Sequence, residues 1–181
     1  MTRHEIMISG FGGQGIALTG KLIAAAATAE GRNAVWTPSY GPEMRGGESN
    51  CTVVMTDDPV GSPVAAQPDT VIVMDRPSLG KLQKVVNSGG LMMINSSLVA
   101  ARPRFRRVRV CRVPVTHLAE EVGDPRVANI VMLGAFIEAD GAVSAEAVRR
   151  ALHDWLARRP QLLAINERAL ERGMRFVREE R

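Results

Sequence analysis

The sequence predicts an α/β fold: a single three-layer, Rossmann-like domain over residues 1–181, with a mostly parallel sheet and a helical C-terminal section. Three observations lead there. Short apolar runs alternate with stretches of helical period between residues 4 and 113. Runs such as "DTVIVMD" (69–75) and "LMMIN" (91–95) are continuous rather than alternating, as strands covered on both faces are. The first run feeds a glycine-rich loop and then a helix, the order found in nucleotide-binding α/β domains.

Taken in order, "HEIMISG" (4–10) reads as a buried strand that delivers the glycine loop. "GIALTGKLIAAAATAEG" (15–31) is a helix of alanine and leucine that stops at Gly31. "NAVWTP" (33–38) is a second strand ended by Pro38, and "SYGPEMRGGES" (39–49) is a loop. "NCTVVMTD" (50–57) is a third strand, followed by the connector "DPVGSPVAAQP" (58–68). After the strand 69–75, "RPSLGKLQKVVNSGG" (76–90) reads as a short helix with Pro77 in its first turn. Two further strands follow, 91–95 and "RRVRVCRV" (106–113).

From Thr116 onward the pattern is helical. "VANIVMLGAFIEA" (127–139) is apolar nearly all round and therefore buried. "SAEAVRRALHDWLARR" (144–159) opens on Ser144 as N-cap, with Val148, Ala151, Leu152 and Trp155 on one stripe. "QLLAINERALERGMRFVREE" (161–180) is a last amphipathic helix after Pro160.

Composition excludes several classes. Cys51 and Cys111 have no partner at zinc or cluster spacing, and His4, His117 and His153 are scattered, so no metal site is expected. No apolar run approaches the ~18 residues of a membrane span, and the N-terminus lacks an apolar signal core. The chain is expected to be soluble and cytoplasmic. The net charge of +4 comes from arginine, since Lys21, Lys81 and Lys84 are the only lysines. With 4% aromatic residues there is little on which to stack bases, so nucleic acid is disfavoured as a partner.

"ISGFGGQGIALTGK" (8–21) resembles two phosphate-binding loops at once. The triphosphatase reading, Gly15-x-x-x-x-Gly20-Lys21, fails because Leu22 stands where a magnesium-binding hydroxyl belongs. The dinucleotide reading assigns Gly10 to a tight turn, Gly12 to close backbone approach and Gly15 to helix–strand packing. It lacks the acid that binds a nicotinamide ribose, because the second strand ends "VWTP". Gly10, Gly12, Gly13, Gln14 and Gly15 are the candidate cofactor loop; the alternative, glycines that only permit packing, stays open. Asp140-Gly141 with Asn166 faintly echoes a magnesium–thiamine diphosphate motif but lacks its first glycine.

The segment "WTPSYGPEMRGGESNC" (36–51) concentrates glycine and proline around Tyr40, Glu43, Met44 and Arg45. It is expected to leave the C-terminal end of a parallel strand, where open α/β sheets place their sites. Asn95, Ser96 and Ser97, just past a strand end, are weaker candidates on the same sheet edge. The arginines from Arg102 to Arg112 read either as a solvated face or as a surface toward an acidic partner or a phosphate.

"GFGGQG" followed by "TPSYGPEMRGGESN", "GSPV", "GGLMMINSSL", "VPVTHLAEEVGDPRVANIVMLGA" and "AINERALERG" resembles the gamma subunit of 2-oxoacid:ferredoxin oxidoreductases, most closely the 2-oxoglutarate type, over almost the whole chain. The resemblance implies oxidative decarboxylation of a 2-oxoacid, pyruvate or 2-oxoglutarate among them, with ferredoxin as acceptor and transfer of the acyl group to coenzyme A. It also implies that thiamine diphosphate, magnesium and iron–sulfur clusters belong to alpha, beta or ferredoxin-like delta partner subunits. This chain would then bind no cofactor firmly, carry no catalytic residue of its own, be inactive alone, and offer its glycine loop to coenzyme A. Tyr40, Glu43, Met44 and Arg45 would line the shared active centre. The competing readings are a self-sufficient NAD-dependent oxidoreductase and a stand-alone nucleotide-binding or scaffold domain.

Overall fold

The chain lays down β1 (His4–Phe11), α1 (Ile16–Ala29), β2 (Asn33–Tyr40), β3 (Glu48–Thr56), β4 (Thr70–Val73), α2 (Arg76–Leu82), β5 (Leu91–Asn95) and β6 (Arg109–Val113). The helices α3 (Val115–Val122), α4 (Ala128–Asp140), α5 (Ala145–Leu156) and α6 (Leu163–Glu179) follow. This computed structural model describes residues 3–41 and 47–180. One six-stranded sheet has the order β2-β3-β1-β4-β5-β6. β1, β4, β5 and β6 are parallel, while β3 runs antiparallel to both β1 and β2.

The continuous apolar strands divide their side chains between two cores, as period 2 requires. Ile72, Leu91 and Met93 join the large core beneath α1 and α3 to α6. Val71, Val73, Met92 and Ile94 face a smaller core with Leu79 and Leu82 of α2 and with Val99. The expected three-layer, mostly parallel α/β architecture with a helical C-terminal section is what forms. One face is thickly covered. The other carries only α2 and the connector 96–108.

The largest departure concerns residues 33–56. The described ends of the segment 39–49 are strand rather than loop, and β2 joins the sheet by antiparallel pairing with β3 rather than by a parallel neighbour. β2 continues through Pro38 to Tyr40, and β3 begins at Glu48, so the two make a hairpin. β3 then inserts beside β1 and pushes β2 to the sheet edge. Burial decides which arm goes inside: Cys51 and Val53 to Met55 are fully buried, whereas β2 alternates half-buried and exposed. An edge strand also tolerates Pro38, whose missing N–H costs no ladder bond on the open side. Elsewhere α2 ends at Leu82, well short of residue 90, and β6 begins only at Arg109.

Two close approaches fix the helices. A Cβ on Gly20 would lie 2.3 Å from Cys51 Sγ, so α1 rests on β3 where only glycine fits. A Cβ on Gly134 would lie 2.0 Å from Leu170 O, and one on Gly173 2.0 Å from Val131 O. α4 and α6 therefore touch backbone to backbone through two reciprocal glycines, which explains why α4 is buried almost all round. Asn166 donates to Leu162 O inside α6, a local bond with no relation to a metal motif. Among the described residues no helix is long and apolar enough to cross a membrane.

At the N-terminal end of the parallel strands, the Asp140 carboxylate is 5% exposed at the C-terminus of α4, where the helix dipole disfavours an anion. His4 Nε2 lies 3.2 Å away as an ion pair rather than an aligned hydrogen bond. The Thr70 hydroxyl and the Ala142 N–H also donate to Asp140. Burial alone would push the Asp140 carboxyl up, but His4, Thr70 and the Ala142 N–H hold it below its ordinary 3.8. Burial would lower the His4 imidazole and Arg32 opposes its charge, yet Asp140 and Asp69 raise it above 6.5.

Two outcomes follow from these contacts. Gly134→Ala is expected to cost about 3 kcal/mol or more in urea unfolding, because backbone rather than a flexible side chain must yield. The His4–Asp140 pair also sets a pH window. Because the folded His4 pKa is raised, its contribution is complete below about pH 6.5 and is lost as pH rises through the folded value. Because the Asp140 pKa is lowered, its contribution is complete above 3.8 and is lost as pH falls through the folded value. Thermal melting should therefore decline as pH rises above about 6.5, and His4→Gln should flatten that limb while costing about 1–3 kcal/mol near pH 6.

Candidate functional site

β1 hands the chain to α1 on the thick face, whereas β4 hands it to α2 on the thin face. The crevice between the C-terminal ends of these two neighbouring strands is the switch point, where open α/β sheets bind ligands. A cleft of about 300 Å³ opens there. Phe11, Gly13 and Gln14 of the glycine loop form one wall, and Met74, Asn95 and Leu98 another. Thr116, Arg126, Ala128 and Asn129 close it from the helical section.

The amides of Gln14 and Asn95 organise this cleft. Gln14 Oε1 accepts from the Phe11 N–H at 3.0 Å, and Gln14 Nε2 donates to Met74 O at 3.3 Å. Asn95, 1% exposed, donates to the same Met74 carbonyl and to Thr116 Oγ1, each at 3.3 Å. The glycine loop and β5 thus meet on one carbonyl just past β4, and Asn95 links α3 to them.

The glycines act differently from a dinucleotide fingerprint. Gly10 lies in β1 and makes no tight turn; a Cβ there would meet Gln14 Oε1 at 2.3 Å, so its role is to seat that amide. The turn belongs to Gly13, at φ +104°. Gly15 caps α1 in the left-handed region at φ +72°, and a Cβ there would lie 2.5 Å from Asn129 Nδ2. Its close contact is with α4, and the helix–strand packing expected of it falls to Gly20. Gly12 does bring backbones together: its N–H donates to Gly47 O at 2.8 Å, joining the loop to the returning arm of the hairpin.

That hairpin is braced from the thin face. Glu48 pairs with Lys81 of α2 and accepts from Asn50 at 2.8 Å. Hydrogen bonds from Lys81 and then Asn50 hold the Glu48 carboxyl below the usual carboxylate range. Tyr40 ends β2 and is 64% exposed. Glu43, Met44 and Arg45 lie outside the described residues.

Of the weaker candidates, Asn95 lines the cleft, but Ser96 and Ser97 do not. The Ser96 N–H bonds Val113 O, and Ser97 Oγ accepts from the His117 N–H, so both fasten β5 to β6 and α3. Asn129, Thr116 and Arg126 are site residues that sequence reasoning missed. A lone buried Asn in the apolar run of α4 was the available signal. Arg126, at the rim, forks onto Asp124 at 2.7–3.0 Å; these hydrogen bonds lower the Asp124 pKa and raise that of Arg126.

The described lining has no carboxylate, and Arg126 is its one charged side chain. With the N-terminus of α1 beside it, the cleft suits an anion, and its described lining includes no His, Cys, Lys, Asp or Glu. Burial pushes the Cys51 thiol up to about 12, and three strands separate it from Cys111. Among the described residues no three His, Cys, Asp or Glu cluster as metal ligands.

A sequence profile for pyruvate ferredoxin/flavodoxin oxidoreductase matches residues 5–176. The ketoisovalerate oxidoreductase subunit VorA of Methanothermobacter thermautotrophicus is 37% identical over 97% of this chain, which spans only 36% of that relative's length. The 2-oxoglutarate synthase subunit KorC of Methanocaldococcus jannaschii is 40% identical over 84% of this chain and 83% of its own. Among solved structures, the keto/oxoacid ferredoxin oxidoreductase gamma subunit of Geobacter sulfurreducens superposes with a TM-score of 0.81 at 33% identity, covering 96% of this chain and 98% of that one.

The Gly15–Asn129 contact gives a testable coupling. Gly15→Ala should destabilise by about 1–2 kcal/mol from the left-handed backbone alone, and by more because of the Asn129 clash. Adding Asn129→Ala should recover the clash but not the backbone strain. A double-mutant cycle in urea that shows simple additivity would contradict this contact.

Proposed function

This chain belongs to the pyruvate ferredoxin/flavodoxin oxidoreductase family, and on that premise we propose that it is a gamma-type subunit of a 2-oxoacid:ferredoxin oxidoreductase whose switch-point cleft holds part of coenzyme A. The observation that carries the reading is that the cleft lies at the N-terminus of α1 and that its described lining holds one arginine and no carboxylate. At about 300 Å³ it lies at the bottom of the ~300–1,000 Å³ range of small-molecule sites. It fits a diphosphate-sized portion of a ligand, so the remainder belongs to a site shared with partner subunits.

In that site the Gly13–Gly15 turn and the start of α1 would face the coenzyme A diphosphate, with Arg126 at the rim. Bound there, coenzyme A would supply the thiol that accepts the acyl group. Thiamine diphosphate, magnesium and the clusters are assigned to alpha, beta or delta partners, and Glu43, Met44 and Arg45, which lie outside the described residues, to the shared centre. The 2-oxoacid is read as 2-oxoglutarate. A second reading, a branched-chain 2-oxoacid, is favoured by the similarity to VorA along nearly the whole chain. The nicotinamide alternative loses support from the topology. β3 stands between β1 and β2, so the end of β2 is not where a ribose-binding acid would act.

The test is the native complex, assayed with 2-oxoglutarate and with 3-methyl-2-oxobutanoate under a low-potential dye. The complex should turn over one of them in a coenzyme A-dependent way, and the isolated chain neither. Arg126→Ala should keep melting within the range of a surface change, about ±0.5 kcal/mol. It should lower kcat/KM for coenzyme A about tenfold, equivalent to roughly 1.4 kcal/mol. Unchanged kcat/KM for coenzyme A would remove the cleft from the cofactor site.

A further inference from the structure

Between Asp75 and Glu120 the sequence contains no carboxylate side chain, yet residues 76–119 hold nine lysines and arginines. With 23 basic and 19 acidic residues in all, the rest of the chain is net acidic. The fold concentrates much of this charge on one face. Leu79 and Leu82 of α2 share the small core with Val99 and Phe105 of the connector, and the Gly89 N–H donates to Arg107 O at 2.6 Å. Arg76 and Lys84 beside α2, and Arg102, Arg104, Arg106 and Arg107 on the connector, are all exposed.

None of these six cations makes an ion pair among the described residues. On the helical face the cations are mixed among glutamates: Arg149, Arg172, Arg175 and Arg178 each pair with one, while Arg150 and Arg168 make no ion pair among the described residues. The acids bordering the thin face are committed, Glu48 to Lys81 and Asp75 to capping α2 through the Ser78 N–H. Like charges left unpaired side by side repel one another, and burial followed by the neighbouring Arg102 lowers the Arg112 pKa.

We propose that this thin face, formed by α2 and the connector 96–108, docks an acidic protein surface on a companion subunit of the complex. The inference rests on the subunit reading above. Arginine rather than lysine suits a permanent interface, because its planar fork binds carboxylates bidentately and is weakly hydrated. Leu98, 44% exposed beside the arginines, adds apolar area that a protein partner would bury. Nucleic acid fits less well, since the face offers Phe105 alone among aromatics and that ring is partly buried in the small core.

Three lysines make the faces distinguishable. Lys84 and Lys81 lie on the basic side, and Lys21 is exposed on α1 across the sheet. Zero-length carbodiimide coupling of the native complex, read by mass spectrometry, should join Lys84 to a partner carboxylate and leave Lys21 unjoined. Arg104→Glu with Arg106→Glu and Arg107→Glu should weaken reassembly at least tenfold at low salt, with the melting temperature held, whereas Arg150→Glu on α5 should not. Coupling through Lys21 alone, or full assembly by the triple variant, overturns the proposal while leaving the subunit reading intact. Full assembly combined with lost binding to oligouridine would assign the face to RNA instead. A wild-type chain that joins no complex overturns both readings, and wild-type coupling decides the matter if the triple variant fails to fold.

Discussion

The pairing of β3 against β1 is the constraint on which the rest depends. It runs from His4 opposite Met55 to Phe11 opposite Glu48, the full length of β1. Its lower end aligns the strand that carries His4, whose ring holds the Asp140 carboxylate at the end of α4. Its middle supplies Cys51 and Val53 as the floor on which Gly20 lets α1 rest. Its upper end brings Gly47 to the N–H of Gly12, so that the hairpin and the glycine loop form one rim. Shifting that register by one residue would turn Cys51, Val53 and Met55 away from α1 and separate the rim into two unrelated loops.

This constraint was also the hardest part to read from sequence. The elements themselves were legible: continuous apolar runs marked buried strands, and the helical stripes of α5 and α6 were plain, except that Trp155 stays exposed and Leu156 takes its place on the buried side of α5. Strand order was not, because local pattern says which segments are extended but not which neighbour each one finds. β2 and β3 differ visibly in retrospect. Pro38 and the alternating pattern belong to an edge, while "CTVVM" belongs to an interior. The stretch 36–51 looked like a site loop because it concentrates glycine and proline, yet its described flanks, up to Tyr40 and from Glu48, are paired strand.

The glycine motif shows how a pattern can mark a place correctly and misassign its parts. The loop does end a central strand and does begin a helix. Its glycines, however, answer to Gln14 and to Asn129, residues a fingerprint does not mention. Gly15 and Asn129 are far apart in sequence, so no spacing rule could pair them. What remained readable was the oddity of an amide inside an otherwise apolar helix. Buried polar groups need partners, so such a residue points to a contact even when the partner is unknown.

The two faces of the sheet therefore serve different ends. The thick face supplies stability: five helices, a large core and glutamates that pair with four of its arginines. The thin face is covered by seven helical residues and an irregular connector, and such light cover leaves cations without counter-charges of their own. A cleft too small for a whole nucleotide and a face too positive to be self-sufficient have the same physical implication. On the proposed reading, each is half of an arrangement whose complement lies on another chain. A domain built this way keeps its fold through its own helices and, on that reading, would receive its chemistry from its neighbours.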